Sequence, residues 1–437
     1  SRHSFPTRRS SDLNKQVDHA EIYMERNESV DVDILNDKVN HAKEENVLGI
    51  GIRIIKNQRQ GFAYTTNLNK IDETIKQAIN NSKLNQIDEN ISIIDSNKKY
   101  TKIDGLYDKQ LENVDLQEFI DYSKTLIDLV KEKKCNPTAG GCGVGINKVN
   151  LVNSNGVDVS EESTSCGASV SVNVADNDVV SSAYYYDIRH DKNIDLELIA
   201  EKSTKLALDS RNAKPTTTRN ATVVLDHTAT VSLLNTFFSA LNSENKQRNR
   251  SKFKDELNKQ VASSNFTLTD DGTIPGALCS SIADDEGTPT EKTTLIEDGI
   301  LKNFIYDTYH ANKDELDLST TANAVRAGYK STPTVGFTNL KLDFNDKLAI
   351  SDITDGIIVD SVMGAHTANP ITGDFSVEAV NSFEIKKGSI ENPIKKVMIS
   401  GNIFDIMMDV KALEGDIRQI GSCITPKIVA DNLRIIG

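Results

Sequence analysis

The sequence predicts a mixed α+β protein: a small amino-terminal α/β unit, a middle α+β segment, and a β-rich carboxy-terminal domain built as a twisted antiparallel sheet or barrel-like body. Three observations carry that expectation. Apolar and polar residues alternate in short windows between Ala20 and Tyr64, the period of half-buried strands. Apolar residues recur at three- and four-residue steps near Ile71–Ile79, Leu116–Val130, Leu196–Ala207 and Val231–Leu241, the period of helices packed on one side. Beyond Lys254 that periodicity gives way to short β segments punctuated by Gly, Pro, Asn and Asp.

The 437 residues suffice for two or three domains with sizeable cores, and 38% hydrophobic with 26% charged residues is the balance of a globular chain. No apolar run approaches the roughly 18 residues of a membrane-spanning helix. A net charge of −14 disfavours direct contact with a nucleic-acid backbone. Cys135, Cys142, Cys166, Cys279 and Cys423 are odd in number and lack CxxC spacing, as expected of reduced thiols in a cytoplasmic protein. Residues 1–13, SRHSFPTRRSSDL, are basic and aperiodic and read as a non-native leader.

Three domains are expected: 14–88, 89–216 and 217–437. In the first, Ala20–Met24, Val30–Ile34, Ile50–Ile54 and Phe62–Tyr64 read as separate strands followed by the 71–79 helix. Residues 86–112 are polar and read as a linker. Asp115 with Glu118 suggests a capping box opening the 116–130 helix. Cys135–Gly145 reads as turn-rich, and without the Lys-Ser/Thr ending it is no phosphate loop. Val149–Val152 and Val157–Val159 flank Asn153-Ser154-Asn155-Gly156, a hairpin signal. A strand at Ala168–Val174, a tyrosine run at Tyr184–Tyr186 and the 196–207 helix complete the middle segment. The basic stretch Lys246–Lys254 reads as a mobile loop or a subunit contact.

The stretch Val223–Leu241 stands at the centre. Val223-Val224-Leu225 is a buried-strand signal that turns through Asp226 and His227 into a helix apolar on most of its surface. Such a mount suits a zinc hydrolase, which needs two imidazoles and a carboxylate base on rigid backbone. This helix offers Leu234, Asn235 and Ser239.

Several ordered motifs lie beyond it: Asp270-Asp271-Gly272, Asp284-Asp285-Glu286-Gly287, Ser319–Arg326 (STTANAVR), Thr338-Asn339-Leu340, Gly364–Ala379 (GAHTANPITGDFSVEA) and Ser400-Gly401-Asn402. Their order resembles the TldD/PmbA family, long linked to modulation of DNA gyrase, over essentially Asn14–Gly437. The resemblance implies a cytoplasmic protease system for unfolded or leader-bearing peptides, built from two homologous subunits. The TldD-type subunit carries His-Glu-x-x-x-His on its central helix and a carboxy-terminal Cys, which hold zinc; the PmbA-type (TldE) subunit lacks them. Placing that motif here sets Leu234 and Ser239 at the histidine positions and Asn235 at the glutamate, while Cys423 lies too near the carboxy terminus to match the ligand Cys.

The chain therefore resembles the PmbA type. That resemblance implies no catalytic residue, no metal and no cofactor in this chain, with zinc expected in a TldD-type partner. A heterodimer with that partner is expected, with a homodimer as the other arrangement, and neither nucleic acid nor membrane is directly bound. His227, His366, Asn369, Gly373, Asp374, Phe375, Asp284, Asp285 and Glu286 are the candidate peptide-groove or interface residues. Gly373 is expected in a tight turn with Phe375 packed inward. Two alternatives stand beside this reading. One is an autonomous metallopeptidase or hydrolase with an atypical site drawing on His227, His366, Asp226, Asp374 or Cys423; the other is a non-enzymatic modulator of a DNA-topology enzyme.

Overall fold

The structure, a computed structural model, describes residues 17–95, 99–176, 179–314 and 320–437. The expected leader and Ser319 of the STTANAVR motif lie outside the described residues.

The amino-terminal half is built on one six-stranded antiparallel sheet. Its strands are β1 (His19–Leu35), β2 (Lys38–Lys56), β3 (Arg59–Thr65), β4 (Asn136–Asn153), β5 (Asp158–Asp176) and β6 (Val179–Arg189), in the order β3-β2-β1-β4-β5-β6. The 88/89 boundary therefore does not interrupt the sheet, because β1 pairs with β2 on one side and β4 on the other. Three helices cover one face: α1 (Ile71–Leu84), α2 (Leu116–Glu132) and α3 (Leu196–Asp209). Two expected strands, Ala20–Met24 and Val30–Ile34, are the two ends of β1. Both sets fall on even-numbered residues, so one strand presents both to the same face. The first end packs with Ile50, Ile52 and Ile54 under α1, and the second packs under α2.

Three further sequence expectations change. Cys135–Gly145 is mostly strand β4, and its glycines serve close strand approach: a Cβ on Gly141 would lie 2.5 Å from the Val32 carbonyl oxygen. Asp115 caps α2 by accepting from the Gln117 amide, but Glu118 pairs with Lys192 rather than closing a capping box. The described parts of the polar 86–112 segment form a strap bonded to both halves, with Asp88 N donating to Gln58 O, Asp104 O accepting from Gly276 N and Tyr100 donating to Gly287 O. The Asn153–Gly156 hairpin forms as expected, with Gly156 at φ 93° and the Asn153 side chain accepting from the Asn155 and Val157 amides.

The carboxy-terminal body is β-rich, as expected. Strand β7 (Arg219–Leu225) pairs with Asp355–Met363, and the ring continues through Asp374–Lys386, Val397–Asn402 and Ile428–Ile436, which returns to β7 and closes a five-stranded barrel. A second sheet of six short strands includes Phe266–Asp271, Lys292–Glu297 and Leu340–Phe344. Helix α4 (His227–Ser239) leaves β7 and packs against the barrel, burying Leu233, Leu234, Phe237 and Phe238. The basic 246–254 stretch is partnered: Lys246 bonds Asp314 at 2.6 Å and Tyr306 at 3.0 Å, and Phe253 joins the aromatic core. Its apolar anchor is a single phenylalanine, too little to register as periodicity.

Candidate functional site

The sequence-predicted residues fall into three separate places. Asp284, Asp285 and Glu286 form a turn, Gly287 N donating to Asp284 O, set where the six-stranded sheet meets the carboxy-terminal body. Asp284 accepts from the amides of Glu286, Thr288 and Ala324, and Asp285 accepts from the Arg326 amide at 2.7 Å. Glu286 is buried, accepts from the Thr308 amide at 3.0 Å and lies 3.5 Å from Arg53 of β2. Arg53 also donates twice to Glu21 of β1, at 2.7 and 3.1 Å, and Arg326 donates to the same carboxylate.

Burial raises Glu286, and although Arg53 opposes the shift, Asp307 adds to it. Burial would raise Glu21 too, but two guanidinium groups outweigh it and hold it low. Of this run Glu286 meets a cationic side chain, and through Arg53 and Glu21 it makes an ionic joint between the two halves, while Asp284 and Asp285 are held by backbone amides.

His227 is the first residue of α4 and is buried. Its Nδ1 lies 2.8 Å from Asp226 Oδ1, and its Nε2 lies 3.1 Å from the Asp416 carbonyl, so both nitrogens face acceptors. Burial would raise Asp226, but the hydrogen bond from His227 and the Lys427 ammonium at 2.5 Å hold it well below the carboxylate range. Nearby Asp360 is pushed up to about 6 by burial and by the charge of Asp226.

The third place is the loop after strand Asp355–Met363. His366 and Asn369 are exposed, with Asn369 Oδ1 accepting from the Ile371 and Thr372 amides. Gly373 takes φ 84°, where a Cβ would lie 2.4 Å from the Phe404 ring, and Phe375 is buried in the barrel core. Asp374 is exposed and accepts from Asn402 and Thr372, both at 2.8 Å, which lowers it.

Helix α4 packs against the 365–367 turn of the third place, but among the described residues no hydrogen bond or ion pair joins the named candidate side chains of the three places. Among the described residues no group of three or more His, Cys, Asp or Glu side chains is placed to hold a metal ion. On α4, Leu234 is 0% exposed, Asn235 faces outward, and Ser239 Oγ donates to the Thr236 carbonyl at 2.8 Å. These three side chains offer a zinc ion neither imidazole nor carboxylate, and the aliphatic Leu234 has no lone pair to give. Cys423 is buried in a short strand and its thiol is pushed up to about 12 by burial.

The remaining motifs tie loops together. Asp270 accepts from Asn323 at 2.6 Å and from the Thr338 amide and hydroxyl, both at 2.9 Å. Asn339 donates to Asp271 O and Ser280, both at 2.9 Å. Reading the sequence named Arg326 only as the end of the STTANAVR motif and missed Glu21, Arg53 and the pair Asp307–His310, which stands 2.7 Å apart. Only the last had a local signal, an Asp capping a short helix with a His three residues on.

With this geometry in hand, comparison with known proteins is specific. Residues 20–82, 109–211 and 218–437 match, in order, domain 1, the central domain and the C-terminal domain of the PmbA/TldA metallopeptidase models. The chain belongs to the PmbA/TldD family. It is 34% identical over 95% of its length to an uncharacterized protein of Methanocaldococcus jannaschii, covering 96% of that protein. It is 24% identical over 96% of its length to a metalloprotease PmbA homolog of Haemophilus influenzae, covering 92% of it. The crystal structure of TldE from Thermococcus kodakarensis superposes with a TM-score of 0.92 at 26% identity, covering 98% of this chain and 99% of that one. None of the described helices is long and apolar enough to cross a membrane.

Proposed function

We propose that this chain is the PmbA/TldE-type subunit of a TldD-type metallopeptidase. It supplies wall and shape to a channel for unfolded or leader-bearing peptides, while a homologous partner supplies the zinc. The observation that carries this reading is the occupancy of α4. Leu234 is sealed in the apolar core, Ser239 spends its hydroxyl on a backbone carbonyl, and Asn235 has an amide where a carboxylate base would stand. The likeness to TldE over the whole chain supports the same assignment. The cytoplasm is the compartment this role implies, and a heterodimer its assembly. Asn369, Asp374 and His366, exposed on one loop, are the groove residues of this reading.

Elemental analysis and a peptide-cleavage assay test it, on the purified chain and on its mixture with a TldD-type protein. The lone chain is expected to hold no stoichiometric zinc and to leave unfolded peptides intact, and the mixture to cleave them faster than the partner alone. One equivalent of zinc with chelator-sensitive cleavage by the lone chain would overturn the assignment.

A further inference from the structure

A cavity of about 540 Å³ lies between the edge of the six-stranded sheet, the start of the strap, and the Asp307–His310 turn, with no α4 residue in its lining. That volume is in the range of pockets that bind small ligands. Its chemistry centres on His310, whose side chain is 13% exposed. The Asp307 oxygen accepts from both the His310 amide at 2.8 Å and Nδ1 at 2.7 Å. Nδ1 therefore carries a hydrogen directed at Asp307, and in the tautomer that this contact selects Nε2 presents a lone pair. That nitrogen has no partner among the described residues. The Tyr309 ring packs edge-on against the imidazole at 5.0 Å and its hydroxyl donates to Asp88, fixing the ring's orientation.

The charge around that nitrogen is one-sided. Asp88, Glu244, Glu286 and Asp307 line the cavity against two arginines. Arg248 is paired with Glu244 at 2.8 Å, and Arg53 is shared between Glu286 and Glu21, which lies outside the cavity. An oriented acceptor in a cavity with surplus carboxylate favours a small donor cation. Side-chain amides of Gln60 and Gln86 on the wall add groups that a peptide backbone can meet.

We propose that this cavity is a binding site for a primary ammonium group carried on a short peptide, with the ammonium donating to His310 Nε2. The peptide amino terminus and a lysine side chain offer the same chemistry. Neither α4 nor His366, Asn369 or Asp374 lines this cavity, so its failure would leave the subunit assignment untouched.

Calorimetry on the full chain tests it with the peptide Gly-Gly-Lys-amide and its α-acetylated, ε-acetylated and doubly acetylated forms. The doubly acetylated form should bind at least about tenfold more weakly, as expected for losing a charged hydrogen bond. Whichever singly acetylated form keeps its affinity identifies the source of the ammonium. His310→Asn retains a donor for Asp307 and removes the Nε2 acceptor; it should keep the melting temperature and weaken binding about tenfold. Should that variant fold poorly, Thr334→Trp on the exposed rim should block binding without touching the imidazole. Equal affinity for all four peptides, no binding at millimolar concentration, or wild-type affinity in the folded variants would overturn the proposal.

Discussion

The core around α4 and the joint between the two halves are both largely buried, yet they are held by opposite means. Around α4, Phe237 meets Phe253, Phe404 and Phe266 at ring separations of 5.1, 6.0 and 6.4 Å, with no polar side chain in that aromatic cluster. At the joint, buried Glu21, Arg53 and Glu286 meet Arg326 through charge-assisted hydrogen bonds. The apolar core gains from each methylene removed from water, so its losses scale with the volume taken away. The joint first loses the hydration of every ion and recovers it only if all partners are present. One region is therefore graded in its response to mutation, whereas the other should fail when a single member is removed.

Phe237→Ala should be the most damaging change, costing about 5 kcal/mol, the upper end for a buried aromatic because rings on several sides cannot all collapse into the gap. Chemical denaturation checks it; a loss below about 1 kcal/mol would mean that the aromatic cluster is loosely packed. Arg53→Met should rank next at about 4 kcal/mol, because it strands Glu21 with one arginine and Glu286 with none. Adding Glu286→Gln to that variant should recover part of the loss, since the neutral side chain no longer carries an unpaired buried charge. If the double variant is no more stable than Arg53→Met, Glu286 is not charged in the folded protein and the ionic account of the joint is wrong.

The same contrast explains what could be read from the sequence. Helix α4 was legible because Leu234, Phe238 and Leu241 sit at helical steps within one window, so the pattern exists before the chain folds. Leu234, Asn235 and Ser239 were singled out on it by the family resemblance, which periodicity alone does not supply. The joint had no such pattern: Arg53 and Glu286 are 233 residues apart, and Glu21 and Arg326 are 305 apart. Asp284–Glu286 was visible as an acidic run, but its burial depends on an arginine from another sheet. Strand β4 was hidden differently, because its glycines serve neighbouring strands and look locally like turns. The 86–112 strap was polar enough to read as a linker, since its bonds to Gln58, Gly276 and Gly287 use mostly backbone groups.

A smaller and reversed effect is expected where the two regimes meet, at Asp360 beside α4. This carboxyl is penalised rather than satisfied: burial and the charge of Asp226 push it up to about 6, with the Ser361 hydroxyl, Lys427 and Arg418 only partly opposing. An unfolded Asp titrates near 3.9. Between those values the folded state holds a proton that the unfolded state has released. The associated stability is therefore complete below about pH 4 and is lost as pH rises through about 6. Asp360→Asn removes the ionisation and should stabilise the protein at pH 7.5 by up to about 3 kcal/mol, with little gain at pH 4. Asp226 works in the opposite sense, its contribution present above the unfolded value and lost in more acidic solution. Asp270, also pushed to about 6, slopes in the same direction as Asp360. The comparison must therefore be variant minus parent at each pH, which cancels both to first order. Denaturant midpoints for the two proteins at pH 4 and 7.5 give that difference directly. An identical difference at the two pH values would show that Asp360 does not titrate in this window, and that Lys427 and Arg418 neutralise it in the folded state.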